Sequence, residues 1–203
     1  MKFRDWRSYH KSQSELTTER TEEDRKGKMA KKAPAAALAP ISANFINEQP
    51  LAIRYRAMKP EYWLRMGRSL VHGYGLFSRR TIPPQTLLIE YLGERISVSE
   101  ADRRERAYSR IPLLRNGCYL FGLDNEKVID ATRMGNIARF INHSCGPNCI
   151  SRKVKVNGIL RILIFSKRLI EEGEEITFDY LFPFEPQKIP CNCGATSCRK
   201  VMN

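Results

Sequence analysis

Residues 139–149, Arg-Phe-Ile-Asn-His-Ser-Cys-Gly-Pro-Asn-Cys, constrain this chain more than any other stretch. Asn142, His143, Ser144 and Asn148 put four polar side chains within seven residues, between apolar flanks. Gly146-Pro147 interrupts any helix or plain strand across them. Taken alone, such a segment is a surface loop. A second feature argues otherwise. Cys191-x-Cys193-x4-Cys198, near the C-terminus, offers three soft ligands at close spacing and lacks a fourth. Zinc takes four ligands tetrahedrally, and Cys145, inside the polar stretch, is a candidate for the missing one.

A length of 203 residues permits one domain with a real core, plus tails. No run of about eighteen apolar residues exists, so no membrane-spanning helix and no membrane partner is expected. Residues 1–11 are charged and lack the apolar centre of a secretory signal. An intracellular, reducing setting follows, in which tight cysteine spacing favours metal over disulfides. The formal net charge is +13. It suits nucleic acid, an acidic membrane or an acidic protein surface, and equally a solvated basic face. Charge alone names no partner.

Residues 1–43 read as a basic tail ending in the low-complexity linker Lys31-Lys-Ala-Pro-Ala-Ala-Ala-Leu-Ala-Pro40. Residues 44–66 are too apolar for a linker and should pack on the domain edge or on a partner. From Leu70 onward the pattern is short strands and turns. Residues 87–92 read as a buried strand. Residues 97–110 read as a helix with Ser97 or Ser99 as N-cap. A strand opens at Gly117 and runs to Leu123, and 127–130 continue the sheet. Residues 134–141 read as one short helix. Residues 153–156 alternate as a strand before a turn at Gly158, 161–165 form a core strand, and 176–181 form the last one. Cys118 and Cys149 read as packed thiols.

Five motifs occur in an order that carries a family resemblance: His72-Gly-Tyr-Gly-Leu-Phe77, Gly117-Cys-Tyr-Leu-Phe121, Gly135-Asn-Ile-Ala-Arg-Phe-Ile-Asn-His-Ser-Cys145, Glu175-Ile-Thr-Phe-Asp-Tyr180 and the terminal cysteines. The chain resembles SET-domain protein lysine methyltransferases over roughly residues 67–203. The resemblance implies a mostly β fold of small sheets and short helices. It also implies a pseudoknot where the C-terminal strand passes through the loop near the signature, and a zinc-bound post-SET segment. The expected division is a tail at 1–43, a lead-in at 44–66, the SET domain at 67–183 and the post-SET segment at 184–203. The implied zinc ligands are Cys145, Cys191, Cys193 and Cys198.

The resemblance further implies S-adenosylmethionine as cofactor. His72, Gly73, Tyr74, Gly75, Asn142, His143 and Arg199 match or adjoin the family's cofactor positions. Read without it, Gly-x-Gly is a hairpin turn and His143 a satisfied loop histidine. Tyr180 matches the principal active-site tyrosine, Tyr119 a second channel tyrosine, and Phe178 the position that limits how many methyl groups fit. As a bare strand, Phe178 and Tyr180 would simply share a core face. A free lysine has a pKa of about 10.4, so its amine is neutral about one time in 2,500 at pH 7, a deficit of about 4.6 kcal/mol. An apolar channel beside a cationic cofactor removes that deficit without a dedicated base.

Arg54-Tyr-Arg56, Gly117-Cys-Tyr119 and Asp179-Tyr-Leu-Phe-Pro183 resemble the trithorax and mixed-lineage-leukaemia class. That class acts on lysine 4 of histone H3 and uses scaffold proteins to settle the insert, here residues 97–116. The implied setting is the nucleus, with a histone H3 tail and nucleosome as partners and nonspecific DNA contact by the basic surface. In that class the Phe178 position is commonly tyrosine, which implies progress to di- and trimethyl-lysine here. The alternatives are another histone or non-histone lysine, and a non-catalytic SET module that binds histone or nucleosome.

Overall fold

The computed structural model describes residues 50–114 and 117–203. The tail expected over 1–43 and the first part of the lead-in lie outside the described residues. Two short helices open the described chain, α1 (Leu51–Arg56) and α2 (Pro60–Trp63). The strands β1 (Leu64–Arg68), β2 (Tyr74–Ser78), β3 (Leu87–Glu90) and β4 (Gly93–Ser97) follow. The longest helix is α3 (Val98–Tyr108). Then come β5 (Leu120–Gly122), β6 (Lys127–Gly135), β7 (Asn142–His143), β8 (Cys149–Val156), β9 (Ile159–Ser166) and β10 (Glu175–Phe178).

These strands make three small sheets, ordered β1-β2-β10-β7, β3-β9-β8 and β4-β6-β5. The last strand, β10, lies between β2 and β7, antiparallel to the first and parallel to the second. The polar signature is thereby joined to the end of the domain. The sheets share one apolar core around Leu76, Leu88, Ile164, Ile170 and Ile176, each almost completely buried. A mostly β fold with few short helices is what the sequence predicted.

The lead-in packs on its own domain. Leu51, Ala52, Tyr55 and Met58 cover a second apolar cluster of Leu87, Val156, Leu163 and Phe165. The Tyr55 hydroxyl donates to buried Glu90, which also pairs with Arg161 at 3.0 Å. The expected boundary at residue 67 falls inside β1, which pairs along its whole length with β2.

Ser97 is the N-cap of α3, its hydroxyl accepting from the Glu100 amide at 3.2 Å. Ser97-x-x-Glu100 has the capping-box pattern. Two other expectations need correction. Residues 134–141 are not one helix: β6 runs to Gly135, and only Ile137–Phe140 form a 3-10 turn. Asn136 ends the strand by donating to Glu90 O at 2.8 Å and accepting from Leu92 N. Four residues remain before Ile141 and β7, room for a single turn. The last strand stops at Phe178 rather than 181. The Asp179 carboxylate accepts from Leu181 N, Leu181 takes φ 51°, and the backbone turns away from β7.

Candidate active site and metal centre

The signature places its polar groups by fastening them to two other segments. Asn148 is buried and clamps β10: its side chain donates to Glu175 O at 2.7 Å and accepts from Thr177 N at 2.9 Å. Asn142 faces the β1–β2 turn. Its Nδ2 donates to His72 O and Tyr74 O, each at 3.1 Å, and to Glu175 Oε1 at 2.8 Å. With the amide N–H groups committed, Oδ1 is the atom left to meet a ligand. Ser69 completes the turn by accepting from Val71 N and His72 N while donating to Glu175 Oε2 at 2.9 Å.

His72, Gly73 and Tyr74 are exposed at this turn, and Gly75 is buried beneath it. A Cβ on Gly75 would collide with Glu175 Oε1, so close approach of carboxylate and backbone requires glycine there. The expected residues 72–75 and 142 therefore meet in one cradle. His143 does not offer it a side chain. Its Nδ1 accepts from Tyr180 N at 3.1 Å, and its Nε2 lies 3.4 Å from Cys145 Sγ. The ring is buried, which lowers its pKa against the pull of Asp179. The Arg199 guanidinium is also engaged, bidentate on Asp179 at 2.6 and 2.9 Å. Both residues tie the C-terminal tail to the strand that leads to Tyr180.

Behind the cradle lies a file of aromatic rings. Phe178 is 4 % exposed and stacks on Phe121 with centroids 5.7 Å apart. Tyr180 touches Phe178 and Phe182, each at 5.1 Å. Tyr91 backs Phe121 at 5.1 Å. A second file, Tyr74–Phe140–Tyr119, runs at 6.3 and 5.9 Å, with the Arg139 guanidinium over both Phe140 and Tyr119. The Tyr180 hydroxyl donates to Ile141 O at 2.8 Å. Burial raises the pKa of this phenol, and Tyr119 and Glu175 raise it further, so it stays protonated at neutral pH. Its proton is committed, and its lone pairs remain to accept.

The four cysteines converge. The Sγ atoms of Cys145, Cys191, Cys193 and Cys198 all lie within 4.8 Å of one another, and Cys145 and Cys191 are 3.7 Å apart. Tetrahedral zinc with Zn–S bonds of about 2.3 Å needs S···S separations of about 3.8 Å. The N–H groups of Cys145, Arg199 and Lys200 point at Sγ atoms of the set at 3.4 Å, as suits thiolates. The residues fit zinc. Cys118 and Cys149 stay apart, their thiols pushed up to about 12 chiefly by burial.

Sequence reasoning missed Glu175, Ser69, Asn148, Phe121 and Phe140 as parts of the site. Strand alternation was the available signal for Glu175, since it shares a β10 face with Thr177, opposite to Ile176 and Phe178.

A family model described as "SET domain" matches residues 73–181. The chain is 47% identical over 156 residues to a protein of Drosophila virilis named histone-lysine N-methyltransferase trithorax, covering 76% of this chain and 4% of that one. It is 47% identical over 152 residues to a Schizosaccharomyces pombe protein named histone-lysine N-methyltransferase, H3 lysine-4 specific, covering 74% and 16%. It is 47% identical over 160 residues to the human histone-lysine N-methyltransferase 2B, covering 77% and 6%. The chain thus spans a small part of the length of these relatives.

Proposed function

Because the chain belongs to the SET domain family, we propose that it is an S-adenosylmethionine-dependent protein lysine N-methyltransferase acting on lysine 4 of histone H3 in nuclear chromatin. The observation that carries this reading is the Tyr180 hydroxyl, fixed on Ile141 O inside the aromatic file and left as an acceptor. An acceptor there orients a neutral amine through its N–H and leaves the nitrogen lone pair free to attack. Burial keeps the phenol protonated, so Tyr180 positions the amine and does not remove its proton.

When bound, S-adenosylmethionine supplies an electrophilic methyl group. The residues that would hold it are the 72–75 backbone, Asn142 through Oδ1, and Tyr74 with its exposed ring. The zwitterionic amino-acid end suits a cradle with one amide acceptor and nearby backbone donors. Phe178, Phe121 and Tyr119 exclude water and disfavour an ammonium, which lowers the cost of presenting a neutral lysine. Phe178 lacks a hydroxyl that could hold a water in the methyl-lysine space, so the channel admits successive methyl groups. Zinc on the four cysteines would anchor the tail beside this channel. Arg199 and His143 carry that anchorage to Asp179 and Tyr180.

The test is mass spectrometry of histone H3 peptides incubated with the chain and S-adenosylmethionine. Methyl groups should accumulate at lysine 4, and a peptide with arginine at that position should stay unmodified. Equal labelling of both peptides would refute the assignment of the target lysine. No labelling of any histone would favour a binding module.

A further inference from the structure

The carboxylate of Glu175 is held in the cradle by neutral partners, Ser69 Oγ at 2.9 Å and Asn142 Nδ2 at 2.8 Å. Among the described residues no Arg, Lys or His forms an ion pair with it, whereas its neighbours Glu174 and Asp179 are paired with Arg168 and Arg199. Its position is fixed as well as charged. Oε1 occupies the space a Gly75 side chain would take, and the turn above is built on the same Ser69 hydroxyl. This charge is felt at the other end of the site, because Glu175 helps to raise the pKa of the Tyr180 phenol after burial and Tyr119. A field that opposes a phenolate there favours a cation in the same space.

Resting on the function proposed above, we propose that Glu175 is a specificity-determining residue that makes the cradle prefer cationic S-adenosylmethionine to its neutral product, S-adenosylhomocysteine. The two molecules share adenosine and a zwitterionic amino-acid end. They differ by one methyl group and one positive charge at sulfur. Contacts to the shared parts bind both alike and cannot discriminate. A fixed, un-neutralised carboxylate discriminates by the charge alone. In the transfer, the lysine nitrogen lone pair forms the new C–N bond and the C–S electron pair returns to sulfur. The methylated ammonium then loses its proton to solvent. Glu175 afterwards faces a neutral thioether, and its attraction has gone, which helps the product leave.

Calorimetric binding of both compounds to the chain tests this without relying on turnover. Glu175→Gln should weaken S-adenosylmethionine roughly tenfold and S-adenosylhomocysteine less than about threefold, as expected for one charge at moderate distance. Glu175→Asp should keep the wild-type preference. Ser69→Ala removes a contact without removing charge, and should weaken both compounds alike. In the wild-type chain the preference should shrink as salt rises from about 0.05 to 0.5 M. This arm stands even if the glutamine variant fails to fold. An equal loss for both compounds in Glu175→Gln, or no loss, overturns the role of Glu175 and leaves the proposed function intact. A wild-type preference that salt does not change also overturns that role alone. A wild-type chain that binds neither compound overturns both.

Discussion

At the scale of single residues, the hydroxyl of Tyr180 and the missing hydroxyl of Phe178 do different work. Tyr180 gives its proton to Ile141 O and keeps its lone pairs for the amine. Tyr180→Phe removes that acceptor while the ring contacts to Phe178 and Phe182 remain. Every methylation step should slow together, by roughly 100-fold, as when one positioned hydrogen-bonding group is lost. Phe178→Tyr should do something else. A hydroxyl there anchors a water in the methyl-lysine space, at about 1 kcal/mol or roughly fivefold in partitioning. The product should shift from di- and trimethyl toward monomethyl, with the first step little changed. Mass spectrometry of a histone H3 peptide over time distinguishes the two outcomes. A wild-type chain that stops at monomethyl would refute the argument from Phe178. Tyr180, Phe178 and the four cysteines were legible in the sequence because each sits inside an ordered motif. Glu175 and Ser69 were not, because their link spans 106 positions and exists only once β10 is registered against β2.

At the scale of elements, the helix α3 was legible because Ser97-x-x-Glu100 declares its start locally. What fastens it was not. Asp130 in β6 is completely buried, accepts from Arg104 Nη1 at 2.8 Å and accepts from the Tyr108 hydroxyl at 2.8 Å. Arg104 also reaches Glu94 and Glu100. Burial raises the Asp130 pKa, but Arg104, Thr132 and Tyr108 outweigh it and leave it lowered. A depressed carboxylate contributes stability that is full above its unfolded value of about 4 and fades as pH falls through the lower native value. Acid should therefore loosen α3 below about pH 4, and Asp130→Asn should remove that part of the acid transition. The variant should cost roughly 2 kcal/mol at pH 7, moderated because Arg104 keeps two other carboxylates. Chemical denaturation across pH checks both statements, and an unchanged acid profile would contradict them. The zinc segment makes a parallel case. Its ligands were readable, whereas its second attachment, Arg199 on Asp179, joins residues that no local pattern relates. Elemental analysis should find about one zinc per chain, and Cys198→Ala should lower it while the sheets persist by circular dichroism. Chelation should speed proteolysis within 184–203 first. Active protein without stoichiometric zinc would defeat the assignment.

At the scale of the whole molecule, the chain matches only 4% to 16% of the length of its relatives of fly and fission yeast, so the surfaces it presents to partners matter as much as its core. The lead-in was expected to pack on the domain edge or a partner, and α1 packs on the chain's own β3-β9-β8 sheet. That leaves the insert, 97–116, as the segment whose placement scaffold proteins would adjust. Its first part is already pinned, through Arg104 and Tyr108 onto Asp130. Two contributions then add: internal pinning holds the helix, and a scaffold holds what the pin does not. The lone chain should turn over slowly but measurably, and trithorax-type scaffold subunits should raise its turnover on a histone H3 peptide. Asp130→Asn gives the argument its edge. Without the pin, more of the placement is left to the scaffold, so the lone variant should be slower than the lone wild type. The fold-stimulation by scaffold should be larger for the variant, because a shared task makes the two effects non-additive. The measurement is a two-by-two comparison of kcat/KM, with and without Asp130→Asn and with and without scaffold. Equal fold-stimulation of both chains would mean that pin and scaffold act on different steps. A lone wild type as fast as the complex would mean that the insert needs no partner at all.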